Sequence, residues 1–400
     1  MNQTARISKR LAASMIGAAM LVVSSMASAL PAGLIPAPPK VAAKSYILLD
    51  ADSGEILAES NSDEAMPPAS LTKMMTAYVV ENELASGNIS RNDLVTVSEK
   101  AWRMRGSLMF IEVGEKVTVS DLLKGVIIVS GNDASVALAE YVAGSEDAFS
   151  QVMNATAQQL GMENSHFKNA SGWPTKGHYA SARDLAKLSR AIIYDHPEYY
   201  DIYNEREFQY GVNKSTGKPL NPQPNRNTLL WTNPDVDGLK TGHTDAAGYC
   251  LAASAKKDDR RLIAVVMGTA SERARANETQ KLLTYGFRFF ENVEVNRGGV
   301  ALEQVRVWKG DRDQLSVGLE KDLVVTVPRG RGKDVNATMS VESDLEAPIQ
   351  AGQVVGSVIV KIDDEIVEEK PLIALEDVQE GGFFKRLWDG IVRFFMGLFS

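Results

Sequence analysis

The sequence predicts an α+β domain, an antiparallel sheet against a helical cluster, then a small all-β domain and a C-terminal amphipathic helix. Three observations carry this. Strand-like runs open and close the stretch 45–291 while helical periodicities fill its middle. Beyond Asn292 short β-type runs alternate with Gly, Pro, Asn and Asp turns, and residues 379–400 gather aromatic side chains on one helical face.

At the N-terminus Arg6, Lys9 and Arg10 precede an apolar run from Leu11 to about Met26, and Ala27-Ser28-Ala29 follows. This is the pattern of a secretory signal peptide over 1–29, cleaved after Ala29. Residues 30–44, with Pro31, Pro36, Pro38 and Pro39, read as a lead-in to the mature fold.

Ser45–Asp50 and Glu55–Glu59, joined through Asp52-Ser53-Gly54, read as a hairpin. A helix then begins near Ser70: Leu71, Met74, Met75, Tyr78 and Val79 form a core-facing stripe, and Ser86-Gly87-Asn88 supplies a stop. Ser120 is the expected N-cap of a helix through Ile127 that leads to Ser130-Gly131-Asn132. Helices follow at about Asp133–Tyr141, Asp147–Leu160 and Ala182–Tyr194, the last opened by the capping box Ser181-Ala182-Arg183-Asp184. Between the last two, 164–179 is a polar loop, and 219–237 is a Pro- and Asn-rich connection with a lid-like character. Tyr249–Ala255 and Arg261–Met267 form a buried hairpin, and Ser271 starts a helix that reaches about Phe290.

The β domain is expected over 292–378, with strands near Val305–Trp308, Leu323–Val327, Ala337–Val341, Val354–Ile362 and Pro371–Leu375. In the tail, Phe384, Leu387, Trp388, Ile391, Phe395 and Leu398 share one helical face, and Lys385, Asp389 and Arg393 share another. Its charges argue against a span and for an interfacial helix with a basic polar face, attached to a membrane surface, with docking on the protein's own core or on another copy as the alternative.

Composition narrows the function classes. The net charge of −8, with no Lys/Arg-rich cluster, excludes an obvious nucleic-acid partner. A single cysteine, Cys250, excludes an intramolecular disulfide, and its apolar neighbours assign it to the core. His166, His178, His196 and His243 lack metal-ligand spacing, so neither a metal nor another cofactor is expected.

Chemistry concentrates in three short motifs. Ser70 and Lys73 stand one helical turn apart at a helix N-terminus, where free N–H groups and the macrodipole favour an oxyanion. A lysine serves as a base when burial and a neighbouring cation lower its pKa, and Lys240 is the expected cation. Ser130-Gly131-Asn132 lies in a turn between helices, and Lys240-Thr241-Gly242 beside a strand.

In this order the motifs resemble the penicillin-recognising serine transferases. With Ser130–Ala134, Asp237–Thr244, the β domain and the tail, the chain resembles a low-molecular-mass penicillin-binding protein, a D-alanyl-D-alanine carboxypeptidase, from about Ser45 to Ser400. That resemblance implies a serine β-lactamase/DD-peptidase-like catalytic domain in which Ser70 is the nucleophile, Lys73 its base and Ser130 a proton relay to the leaving D-alanine. It implies that Asn132 binds the substrate's peptide carbonyl and that Lys240 and Thr241 hold the terminal carboxylate. The N–H groups of Ser70 and His243 would form the oxyanion hole, and Gly242 would leave room for the substrate backbone. The implied partners are peptidoglycan stem peptides, β-lactam antibiotics as covalent inhibitors, and the inner membrane, at whose periplasmic face the protein would be peripherally attached.

Two further readings compete. A β-lactamase needs a deacylating carboxylate, and 164–179 contains no Glu, nor does a Glu-x-x-Leu-Asn run occur. A non-catalytic cell-wall scaffold would make the three motifs incidental. Arg275 reads first as an exposed helix arginine, with added positive charge for the substrate carboxylate as the alternative.

Overall fold

A computed structural model describes residues 35–212 and 215–398. The expected signal peptide and residues 30–34 of the lead-in lie outside the described residues. The described chain forms two compact units, 37–288 and Phe289 onward.

The first unit is built on a five-stranded antiparallel sheet. Its strands are β1 (Ser45–Asp50), β2 (Ile56–Ser60), β3 (Val236–Thr244), β4 (Gly248–Lys257) and β5 (Arg260–Thr269), in the order β2-β1-β5-β4-β3. Alternation along the strands divides the apolar side chains between two faces. Ile47, Leu49, Ile263 and Val265 join the core shared with the helical cluster. Leu48, Leu57 and Leu262 lie against Gly286 of the helix Glu272–Phe289. β3 is the edge strand, which leaves one side of its backbone open to the site.

The helical cluster comprises α1 (Thr72–Ala85), α2 (Val119–Ile127), α3 (Asn132–Ala143), α4 (Glu146–Gln159) and α5 (Ala182–Tyr194). Ser181 caps α5 as expected, its hydroxyl accepting from Asp184 N–H at 3.1 Å. The cap of α2 is Thr118 rather than Ser120: its hydroxyl accepts from Asp121 N–H at 3.0 Å, two residues earlier than predicted. α1 differs more. Its predicted stripe is buried, but so are Thr72, Lys73, Thr76 and Glu81, so the helix is enclosed on nearly all sides. A helix in that position brings its polar residues into the interior, where each needs a partner.

The second unit is all β. Phe290–Asn296 pairs with Leu323–Pro328, and Ala301–Arg306, Gln314–Gly318, Glu365–Ala374, Val354–Ile362 and Val335–Val341 form, in that order, a five-stranded antiparallel sheet. Val317, Val325, Val358 and Leu372 fill its core.

The tail forms α6 (Phe383–Leu398), docked on this unit by its polar face. Asp389, buried, accepts from Lys309 N–H at 2.7 Å; Arg393 pairs with Glu346 at 2.6 Å, and Lys385 with Asp313. Phe384 and Trp388, 84% and 66% exposed, and Leu387 and Ile391 point outward. The face expected at Phe395 and Leu398 lies outside the described side chains. No helix among the described residues is long and apolar enough to cross a membrane.

Candidate active site

Ser70 sits in a 3₁₀ turn, Ala69–Leu71, that leads into α1 rather than in the α-helix itself. Ala69 takes a positive φ of 49° there. One turn on, Lys73 is 1% exposed, and its amine has three partners: Ser70 Oγ at 3.1 Å, Asn132 Oδ1 at 2.7 Å and the Ser171 carbonyl at 2.6 Å. Burial lowers its pKa to about 7, helped by the positive charge of Arg226 and opposed by Asp133. Arg226 is the leading charge acting on Lys73, and the expected partner cation, Lys240, is coupled to it as well, since repulsion between the two amines is mutual. Lys240 is itself held well below its ordinary value by burial, then by Lys73, Arg226 and Arg275.

The second motif approaches from the turn between α2 and α3. Ser130 has φ 64° and is buried, and its hydroxyl has no hydrogen-bond partner among the described residues. Gly131 caps α3, which begins at Asn132. The Asn132 amide donates to the Arg105 carbonyl at 2.6 Å, which turns Oδ1 towards Lys73. Asp133 holds the facing loop. Its carboxylate accepts from the N–H groups of Met109, Phe110 and Ile111 at 2.9, 2.8 and 3.3 Å.

β3 supplies the third side. Lys240 and Thr241 are buried, and Lys240 Nζ donates to the Thr241 carbonyl at 3.2 Å. Gly242 is required by the packing on the strand's inner side. A Cβ there would meet the Pro68 carbonyl at 2.9 Å and the Leu71 amide nitrogen at 3.3 Å, so the glycine lets the strand close on the Ser70 turn. The exposed His243 ring stacks on Tyr249 at 3.9 Å. Arg275 is not an exposed helix arginine. It is 3% exposed, reaches the Gly242 and Arg226 carbonyls at 3.5 and 3.2 Å, and lies over the Tyr249 ring.

The loop 164–179 closes the site behind Lys73. Asn169 Oδ1 accepts from the N–H groups of Ser171, Gly172 and Trp173 at 3.2, 2.8 and 3.0 Å, folding the loop so that the Ser171 carbonyl meets the amine. At Gly172, φ is +81° and a Cβ would meet the Ala69 carbonyl oxygen at 1.9 Å. His178 Nδ1 accepts from Lys168 N–H, so Nε2 donates to Thr72 Oγ1 at 2.8 Å, and burial lowers its pKa to about 4. The connection 219–237 is tied to β3 where the Asn227 amide donates to the Gly238 carbonyl at 3.0 Å. It delivers Arg226, whose guanidinium donates to Ser107 Oγ. Cys250 is buried, and burial raises its thiol pKa to about 11, as befits a core residue.

Sequence reasoning missed Arg226, Asn169 and Ser171. Only the Asn-Arg-Asn run at 225–227 and the Asn-x-Ser-Gly of 169–172 mark them, and neither is distinctive by itself. A nucleophilic hydroxyl, a buried amine of lowered pKa, a second hydroxyl and an open strand edge flanked by cations can together perform acyl transfer on a substrate ending in a carboxylate.

Comparison with known proteins agrees with this chemistry. Residues 33–271 match the D-alanyl-D-alanine carboxypeptidase family, and 290–380 match the penicillin-binding protein 5 C-terminal domain. The chain is 46% identical over 365 residues to D-alanyl-D-alanine carboxypeptidase DacC of Escherichia coli, covering 89% of each chain. It is 44% identical over 401 residues to DacA of the same organism, covering 98% of each. The crystal structure of penicillin binding protein 5 from Haemophilus influenzae is similar with a TM-score of 0.79 and 42% identity, over 86% of this chain and 99% of that one. The chain belongs to the D-alanyl-D-alanine carboxypeptidase family.

Proposed function

We propose that this serine-type D-Ala-D-Ala carboxypeptidase removes the terminal D-alanine from peptidoglycan stem pentapeptides through an acyl-enzyme on Ser70. The carboxypeptidase activity follows from the family; the residue roles are our reading of the geometry. The observation that carries them is the buried Lys73 amine, held between Ser70 Oγ, Asn132 Oδ1 and the Ser171 carbonyl.

Lys73, neutral in a large share of molecules near pH 7, takes the Ser70 proton as Oγ attacks the carbonyl. The N–H groups of Ser70 and His243 receive the oxyanion. Ser130 passes a proton to the departing amine, Asn132 binds the peptide carbonyl, and Lys240 with Thr241 holds the carboxylate beside Arg275. Penicillin acylates the same serine. The loop behind Lys73 offers the Ser171 carbonyl rather than a carboxylate, so slow release of the adduct is expected and β-lactamase action is not favoured.

We also place the protein in the periplasm, exported by residues 1–29 and held at the inner membrane by 379–400. The outward apolar face of α6 supports that attachment.

Intact-protein mass after brief exposure to benzylpenicillin, beside Ser70→Ala and a D-Ala-D-Ala peptide assay, tests the reading. A persistent adduct on the wild type alone, with release of D-alanine, is expected. An adduct lost within seconds would favour β-lactamase. Neither adduct nor D-alanine from folded protein would leave the scaffold.

A further inference from the structure

Beside the nucleophile turn lies a cavity of about 340 Å³ that none of the steps above uses. Pro67 and Pro68 form one wall, Trp173, Lys176 and His178 of the loop 164–179 another, and Thr244 at the end of β3 the third. Its place relative to the substrate follows from the strand. The buried cations Lys240 and Arg275 take the terminal carboxylate, and Ser70 takes the next carbonyl along the chain. The residues that precede the scissile bond therefore run along the edge of β3 away from that carboxylate, towards Thr244.

The walls define what they would accept. The prolines and the face of Trp173 are apolar. His178 is neutral near pH 7, so Lys176 is the one charged group lining the cavity. Lys176 is exposed and makes no hydrogen bond or ion pair among the described residues, and Asp245, between the lining residues Thr244 and Ala246, is not part of the wall. An apolar trough ending in an unpaired ammonium suits a long aliphatic side chain that ends in an anion.

We infer that this cavity is an acyl-side subsite for the residue preceding D-Ala-D-Ala, and that Lys176 selects a carboxylate at the end of that residue's side chain. The inference rests on the carboxypeptidase reading and adds specificity to it.

The test uses the full chain and three peptides of the form acetyl-X-D-Ala-D-Ala, where X is lysine bearing an Nε-succinyl group (anionic), an Nε-butyryl group (neutral, of similar length) or no group (cationic). Release of D-alanine gives kcat/KM for each. The wild type is expected to prefer the anionic over the neutral peptide by about fivefold, the scale of one exposed ion pair, with a smaller preference at high salt. Lys176→Glu is expected to reverse the order in favour of the cationic peptide, while Lys168→Glu, on the same loop but outside the cavity wall, leaves the order unchanged. Equal kcat/KM for the anionic and neutral peptides in the wild type, or an order that Lys176→Glu does not alter, would overturn the subsite. No D-alanine from any peptide, with no penicillin adduct, would instead overturn the carboxypeptidase reading.

Discussion

Lys73 Nζ lies 2.6 Å from the Ser171 carbonyl oxygen, closer than the 3.1 Å that separates it from Ser70 Oγ. A neutral amine has two N–H groups and one lone pair. Ser171 and Asn132, both acceptors, engage the two N–H groups and leave the lone pair for the Ser70 hydroxyl. The loop carbonyl thus orients the proposed base as well as anchoring it. With the Lys73 pKa at about 7, the rate of acylation by benzylpenicillin is expected to rise about tenfold per pH unit in acid and to level off above that value. Arg226→Gln removes a charge that lowers this pKa, so the rising limb should move to higher pH. A profile that stays flat from about pH 5 to about pH 8 would count against Lys73 as the base.

Gly172 sets how closely that loop approaches the Ser70 turn. Gly172→Ala combines a positive φ with a Cβ 1.9 Å from a backbone oxygen, so neither a rotamer nor a side chain can relieve it. A loss of about 3 kcal/mol or more is expected, together with strongly slowed acylation. Urea unfolding and the penicillin mass assay measure the two effects; a variant that acylates at the wild-type rate would show that the loop does not need this close contact.

The buried Asp133 carboxylate ties 109–111 to the start of α3, and burial raises its pKa despite four bonds from backbone N–H groups. Asp133→Ala leaves those donors without an acceptor and is expected to cost about 3 kcal/mol. Hydrogen exchange at Met109, Phe110 and Ile111 should speed up selectively. Unchanged protection there would mean that the loop is held by other contacts.

How much of this was legible in the sequence follows the range of each interaction. Ser70 and Lys73 meet through helical spacing, and Ser181 caps α5 through the Asp184 N–H three residues on, so local pattern sufficed for both. Arg226 meets Ser107 across 119 residues, and Lys73 meets Ser171 across 98; no local pattern carries such pairings. Arg275 was misread because its helix has a charged, exposed neighbourhood, whereas its own position faces Tyr249 under β3. The strand Phe290–Asn296 was hidden because it follows a helix without a break and alternates polar with apolar residues.

Glu81 is a polar residue that the enclosed α1 carries inside. The Tyr203 hydroxyl donates to its Oε1 at 3.1 Å, Oε2 has no partner among the described residues, and burial raises its pKa from 4.5 to about 8. Between those values the folded chain keeps a proton that the unfolded chain has lost. Unfolding then releases a proton, so stability falls as pH rises through this window and is level outside it. The span corresponds to at most about 5 kcal/mol. Glu81→Gln should remove this component, so the variant's melting temperature should gain on the wild type by roughly 5 °C between pH 5 and pH 8. An unchanged difference between the two proteins across that range would place the proton elsewhere.

The docking of α6 makes the mode of the proposed membrane attachment testable. A free basic face would bind anionic lipid electrostatically, yet Lys385 and Arg393 are paired with Asp313 and Glu346, and Asp389 is bound to Lys309 N–H. Their charge is largely spent within the protein, while Phe384, Leu387 and Trp388 face outward. Attachment through apolar burial should therefore tolerate salt, because screening weakens only exposed charge interactions. In flotation with vesicles of phosphatidylglycerol and phosphatidylethanolamine, about 0.5 M salt should change the bound fraction little. Phe384→Glu with Trp388→Glu should abolish binding, since each substitution sets a carboxylate where the acyl boundary would lie. Binding that vanishes in salt and survives the double substitution would reverse the assignment, making the polar face the one that meets lipid and the docked arrangement one that opens at the membrane.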